Sequence, residues 1–582
     1  MDDFQNQNGL FGCSFKSRYS VPFFIYIHNA DFCRASGLKS GFMDFKDYRK
    51  YINTDIAVLL LVAIAGIFYF SVALTSPIVF GDENNYAVNG KWIEQNLIIP
   101  QYQPYFQTAV MHNLFGVKPL YYVFVAFSRI AGEFGNKMLL PVFSILTSLM
   151  IYLFLKKDGL PKAGMVAAFA FLMIPGLVTY GVLNYVETSL ALFFAAAAMF
   201  GFYAFSHNSM KYAVLAGIFS GFALLTDTTG IFIIPVFVLY FILLNAGRVV
   251  RHRKINTGAI LGSLKILLII LAISAAVLVP WLARNFVLYN GQFCYNFLPG
   301  DCLPKYDVTL APYTGEGSNL GAFAQSGTGA SVVKMGFPAY FNFAFGWAVA
   351  ILMFFGLASL VLRKDKLSLF VGAWFFIFLV VMLQQSFFGG RAEDTPRYTL
   401  FGFASLAIIV GIFASDGFEF LKKFRGKIGL ALGIVFIIFV LFSLWFYGFD
   451  KLNTMRSVKA FSPGFFDACS WVDRNTPKDS YVFSTYAQHV AYHCNRNSTV
   501  NLPDQGFIQL ANNDTAYEHL RLHGFNYVFV PRFTISIVPY GESISLKMLG
   551  YMETSGKFQK VYDNSDRYQD YVLVFKVLPE KT

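Results

Sequence analysis

The sequence predicts a polytopic α-helical membrane protein of about eleven transmembrane helices, followed by a C-terminal α/β domain on the extracytoplasmic side. Three observations predict it. Apolar runs of about twenty residues, enough to cross roughly 30 Å of hydrocarbon, recur through most of the chain. Basic residues cluster in alternate loops between those runs. Beyond about residue 448, the long apolar runs give way to short strand and helix patterns. The composition agrees: 56% of 582 residues are hydrophobic and only 14% charged, which excludes an ordinary soluble enzyme. The formal charge of +12 sits mostly in short loops, so it reads as membrane topology and not as a nucleic-acid surface.

Residues 1–53 read as a cytoplasmic tail, either disordered or a start assigned too early, with Met43 as the later start. No cleavable signal peptide is legible there. A membrane domain is expected over 54–448, with spans at about 55–76, 137–155, 163–182, 188–205, 211–226, 230–246, 258–281, 338–361, 367–384, 398–415 and 428–448. With the N-terminus inside, the inner loops hold Lys156, Lys157, Lys162, Lys211, Arg248, Arg251, Arg363, Lys366, Lys422 and Lys427. The segment 119–134 is apolar but short for a span, and counting it would put every basic cluster outside; it reads as a helix in the outer interface. The outer regions are then 77–136, 282–337, 385–397 and the C-terminal domain, 449–582.

In that domain, FFDACSWVDRNTPKDSYVFSTYAQHVAYHC reads as helix, turn, strand, helix, with later strands in GFNYVFVPRF and QDYVLVFKV. Cys294 and Cys302 share one outer loop, and Cys469 and Cys494 share the domain; two outer pairs suit an oxidising compartment, although spacing does not establish bonding. The triplets at Asn497 and Asn513 are glycosylation acceptors only by a common pattern.

The polar candidates lie at the outer ends of helices. Asp82 and Glu83 follow the first span in GDENNYA, where acids also suit a helix N-terminus. Lys118 precedes Pro119, a helix-start signal, and could equally be a snorkelling anchor. Glu187 opens an apolar helix in YVETSLALFF, either as a cap or as a functional acid. Arg284 in PWLARN and Arg397 in PRYTL stand where anchors and surface ion pairs also occur. Asp227 in LLTDTTG reads as the cap of the next helix. Singly each signal is weak, but they share one side of the membrane. Cations and carboxylates gathered there suit transfer from a lipid-linked phosphate donor, whose phosphate rests at the interface. No P-loop, zinc-ligand spacing or dinucleotide fingerprint offers a competing soluble chemistry.

In this order, GDENNYA, KPL before LYYVFVAFSRIAGEFG, YVETSLALFF, PWLARN and PRYTL resemble the GT-C membrane glycosyltransferases over about residues 55–415. The resemblance is to the family 39-like group, which includes protein O-mannosyltransferases and the bacterial aminoarabinose transferase that modifies lipid A. The C-terminal domain looks like outer domains appended to many prokaryotic members. The resemblance implies a polyprenyl- or dolichyl-phosphate sugar donor, a protein, lipid or glycan acceptor, and inverting transfer. It matches Asp82 to the catalytic acid of the first loop, with Glu83 as runner-up, and Lys118 to the lysine that meets the donor phosphate. Glu187 matches the second-loop acid, usually Asp in the family, and Arg284 and Arg397 fall in motifs near the lipid-phosphate cavity. Two departures stand out: K-P-L-Y replaces K-P-P-L, and Asp227 stands where many relatives carry Lys. A divalent cation near Asp82 and Glu187 could bridge carboxylate and phosphate, but nothing in the sequence requires one.

Other readings are an oligosaccharyltransferase, a transporter or lipid flippase, and a non-catalytic membrane anchor. The C-terminal domain lacks a WWDYG-type motif, and neither repeated halves nor mid-span charges are evident.

Overall fold

The structure is a computed structural model. It describes residues 45–78, 81–99, 118–252, 257–288, 291, 293, 337–363, 365–388, 397–423, 427–458, 462–484, 486–499, 517–518, 520–521, 524–532 and 549–580. The chain divides into two compact units, Met1–Asn53 and Thr54–Thr582. Of the first, only 45–53 are described, the opening turns of helix α1, Phe45–Thr75.

A short helix α2, Gly81–Asn96, follows α1, and α3, Pro119–Ser128, precedes α4, Gly132–Lys157. Gly132 at φ +66° breaks the chain between α3 and α4, a conformation open chiefly to glycine. The break at Gly132 falls within one uninterrupted apolar stretch, Pro119–Lys157. The ten residues of α3 reach about 15 Å, half a bilayer core. Helices α5, Pro161–Met173, and α6, Pro175–Gly181, form one broken span bent by 61°. Pro175 is the cause, since it holds Ile174 in an extended conformation and cannot continue the ladder.

The remaining bundle comprises α7, Val186–His207; α8, Met210–Thr226; α9, Ile233–His252; α10, Thr257–Leu288; α11, Phe337–Arg363; α12, Lys366–Phe388; α13, Phe403–Lys422; and α14, Lys427–Val458. Among the described residues, nine helices are long and apolar enough to cross a bilayer, the α5–α6 pair makes a tenth, and α8 is a shorter apolar helix. Each of the eleven expected spans coincides with one of these. Helix α14 continues ten residues beyond the expected boundary at 448, to Val458. Helix α7 is apolar on all sides, and 94% of its central window is buried among its neighbours.

One end of the bundle is basic and tied by ion pairs. Lys156 at the end of α4 meets Asp55 in α1 at 2.7 Å, Lys162 in α5 meets Glu419 in α13 at 2.6 Å, and Arg363 in α11 meets Asp416 at 3.1 Å. The chain direction puts the starts of α2, α3 and α7, and the end of α8, at the opposite end.

The C-terminal domain combines helices and strands, as its sequence pattern predicts, but its mixed sheet has five strands where the pattern shows three. Helix α15, Pro463–Asn475, leads to β1, Tyr481–Phe483; α16, Ala487–His493; β2, Asn497–Thr499; β3, Tyr527–Pro531; α17, Leu549–Thr554; β4, Phe558–Asp563; and β5, Val572–Val577. The strand order is β2-β1-β3-β5-β4, parallel over the first three and antiparallel beyond. Side chains alternate between two cores: Tyr527, Phe529, Val572 and Val574 face one, and Val528, Val530, Leu573 and Phe575 the other. Cys469 and Cys494 form a disulfide that ties α15 to the end of α16. Cys294, Cys302 and Asn513 lie outside the described residues.

This domain seats on α2. Ile78, Ala87 and Val88 pack against Ala487, Ala491 and Tyr492, and the His493 ring nitrogen bonds the Ile78 carbonyl oxygen at 2.8 Å. Lys91 donates to Asn495, and Arg129 pairs with Glu94 at 2.9 Å beside Tyr492. The helix that carries Asp82 and Glu83 is thus clamped between the bundle and the domain.

Candidate active site at the domain end of the bundle

Gly81 starts α2, and its two acids fill the first turn, where the helix dipole favours negative charge. The cap reading of this pair and a functional reading are compatible. Adjacent helical residues point about 100° apart, so the two carboxylates have different surroundings. Asp82 accepts a 2.6 Å bond from Arg397 Nη1, and its side chain remains 36% exposed. Glu83 is fully buried and accepts the backbone N–H of Asn184 at 2.7 Å. It thereby holds the turn that leads into Glu187.

Arg397 opens a 3₁₀ turn, Arg397–Gly402, ahead of α13. Its guanidinium links two acids: Nη1 to Asp82, and Nε to Glu187 Oε1 at 3.5 Å. Nη2 donates to the Tyr398 hydroxyl at 2.7 Å, and the rings of Tyr185 and Tyr398 lie against the cation. Glu187, in the first turn of α7, is 1% exposed, and neither carboxylate oxygen has a hydrogen-bond partner among the described residues. A buried carboxylate whose described ion pair is a 3.5 Å contact keeps unused acceptor capacity.

Lys118, just before Pro119, sits one turn of α2 away. Its ammonium lies 3.1 Å from the Tyr86 hydroxyl and 3.2 Å from Asp227 Oδ2. Burial alone would lower the Lys118 pKa, but Asp227 and Glu187 together raise it, so the side chain stays charged. Burial first, and then Asp82 and Glu187, push the Tyr86 hydroxyl well above its usual range, so it remains a neutral partner. Tyr121 donates to Asn184 at 2.7 Å, and Asn184 in turn donates to Asn136 at 3.1 Å, which fixes the floor beneath Glu83.

The structure therefore gathers Asp82, Lys118, Glu187 and Arg397 from four separate segments. Asp227 joins them. It caps its own turn through Thr229 N at 2.9 Å, as the sequence suggests, and in addition pairs with Lys118. Its position at the same end of a helix as the other candidates is the signal that could have found it. The described bonds of Arg284 lead elsewhere, to the Ile99 carbonyl at 3.0 Å and to Asn285 at 3.1 Å, with Trp281 stacked on the guanidinium. Between Asp82 and Glu187 stands the Arg397 guanidinium, so this pair already has a cation and does not fit a divalent ion as arranged. Among the described residues, no three His, Cys, Asp or Glu side chains converge in a metal-holding group.

Comparisons with known proteins concern the fold and a part of the chain. Residues 119–278 match the family model for dolichyl-phosphate-mannose-protein mannosyltransferases. No curated protein matches the chain. The fold resembles the apo structure of ArnT from Cupriavidus metallidurans, with a TM-score of 0.57 and 12% identity over 89% of this chain and 97% of that one. It also resembles the apo oligosaccharyltransferase of Archaeoglobus fulgidus, with a TM-score of 0.55 and 15% identity over 81% and 69% of the two chains. The arabinofuranosyltransferase AftD from Mycobacteria gives a TM-score of 0.53 and 13% identity over 90% and 40%. ArnT has also been solved bound to undecaprenyl phosphate.

Proposed function

We propose that this chain, whose fold resembles those of ArnT and the archaeal oligosaccharyltransferase, is a GT-C membrane glycosyltransferase that moves a sugar from a polyprenyl-phosphate donor to an acceptor hydroxyl, with inversion. One observation carries the reading. Asp82, the most accessible acid of the ion-paired cluster, is held by Arg397 in a group of charged side chains that also includes Lys118.

In this mechanism the acceptor O–H gives its proton to Asp82 as its oxygen forms a bond to the anomeric carbon. The anomeric C–O bond to the phosphate breaks, and its electron pair stays on the phosphate oxygen. Arg397 and Lys118 are the cations placed to stabilise that charge. Glu187, with acceptor capacity to spare, orients Arg397 or a sugar hydroxyl. Glu83 acts through position, by holding the Asn184 turn. No step requires a metal. The acceptor is a hydroxyl on a protein, lipid or glycan. The basic end of the bundle is cytoplasmic by the positive-inside rule, which makes the site and the C-terminal domain extracytoplasmic in a cell membrane.

The test is to incubate purified protein with a panel of polyprenyl-phosphate hexoses and pentoses and follow donor consumption. Wild type should consume at least one donor, and Asp82→Asn should lose about 10²–10⁴-fold in rate with its thermal midpoint unchanged. Near-normal turnover by Asp82→Asn rejects the base assignment, and failure of folded wild type with every donor rejects the reading.

A further inference from the structure

At the basic end of the bundle, remote from the ion-paired cluster, α9, α11 and α12 enclose a groove of about 1000 Å³. Leucines dominate its walls. Val361 and Phe376, which also line it, are 72% and 53% exposed, so the groove opens onto the lipid-facing surface. Gly247 in α9 and Gly372 in α12 also line it, and a Cβ built on either meets no atom within 4 Å. Both glycines therefore border open space.

The rim is charged. Arg248 is held in place by Asn245 at 3.1 Å and Ser263 at 3.0 Å. Asp365 is committed to the Ser368 backbone N–H at 2.7 Å and to Arg363 at 3.2 Å. Lys366 is exposed, and its described bond is a long one, 3.4 Å to the Ser206 carbonyl. The rim acid is thus occupied, while cations remain beside an apolar slot at the basic end of the bundle.

We propose that this groove binds an anionic phospholipid of the leaflet at the basic end, with acyl chain along the leucine walls and phosphate at Lys366 and Arg248. Packing favours any lipid chain that fills the slot, because an empty groove forfeits dispersion contacts. The rim adds selectivity, since each cation near an anionic headgroup contributes about 1 kcal/mol, or roughly fivefold. The inference requires only that the bundle spans a membrane and is independent of the transferase reading.

Native mass spectrometry of the full-length protein, released from detergent with phosphatidylglycerol or with phosphatidylcholine of equal chain length, tests it. Wild type should retain phosphatidylglycerol in preference by roughly tenfold or more, and Lys366→Gln should cut that preference roughly fivefold. Gly372→Trp should abolish retention of both lipids, because the indole would occupy the slot. Gly372→Leu should weaken both, and serves as the readout should the larger side chain unfold the protein. Equal retention of the two lipids, or an unchanged preference in Lys366→Gln, overturns the headgroup assignment. Undiminished retention in the folded glycine variants shows that the lipid binds elsewhere and overturns the site.

Discussion

Asp82 and Glu83 are neighbours in sequence and are chemically similar, yet they bond in opposite directions: one to Arg397, the other to the Asn184 backbone. Glu83→Ala removes the acceptor for a buried N–H and should cost about 1–3 kcal/mol in stability, whereas Glu83→Gln keeps an acceptor oxygen and should be tolerated. Thermal unfolding in detergent reads both. The Lys118–Asp227 pair supplies a second residue-scale test. Its side chains are 11% and 6% exposed, so Lys118→Met strands a buried carboxylate and should cost about 3–5 kcal/mol. Adding Asp227→Asn, which retains the cap, should recover much of that stability without restoring donor turnover. Four of the six site candidates, Asp82, Lys118, Glu187 and Arg397, come together as their common sidedness implies. The pairing of Asp227 with Lys118 was not legible. A cap and an ion pair use different oxygens of one carboxylate, and sequence reveals only the local use.

At the scale of elements, the site depends on how closely α2 and α3 approach. A Cβ on Gly90 would lie 2.4 Å from Val125 Cγ1 and 3.2 Å from the Ala126 nitrogen, so the helices meet with nothing between them. Gly90→Val should push them apart, costing about 1–3 kcal/mol and separating Tyr86 from Lys118. The expected readouts are a lower thermal midpoint and a loss of donor turnover larger than that of Gly90→Ala. The existence of α3 was legible from its length and its proline. The backbone break before α4 was less so, because the φ of Gly132 is a backbone choice that composition only permits.

For the whole molecule, the seat of the C-terminal domain on α2 offers a pH-dependent test. Burial drives the His493 imidazole below its ordinary 6.5, against the opposing pull of the Ile78 carbonyl and Glu133, with Lys137 and Glu83 also facing it. Above pH 6.5 the ring is neutral whether the domain is seated or not. Between the lowered pKa and 6.5 only the unseated ring takes a proton, so seating weakens as pH falls, by at most about 1.4 kcal/mol per unit. Hydrogen exchange over 487–494 should therefore accelerate at pH 5 relative to pH 7, after correction for the intrinsic rate, and His493→Gln should abolish that excess. A wild-type protein with equal corrected protection at both pH values contradicts this role. By itself the sequence determined the eleven helices, their basic end and three of the five strands of the domain, because hydrocarbon thickness, loop charge and side-chain alternation act locally along the chain. Only the tertiary structure decided that Arg397 bridges Asp82 and Glu187, that Asp227 claims Lys118, and that the C-terminal domain clamps α2. Those contacts join residues far apart in the chain, and they follow from which helix ends the packed bundle brings together.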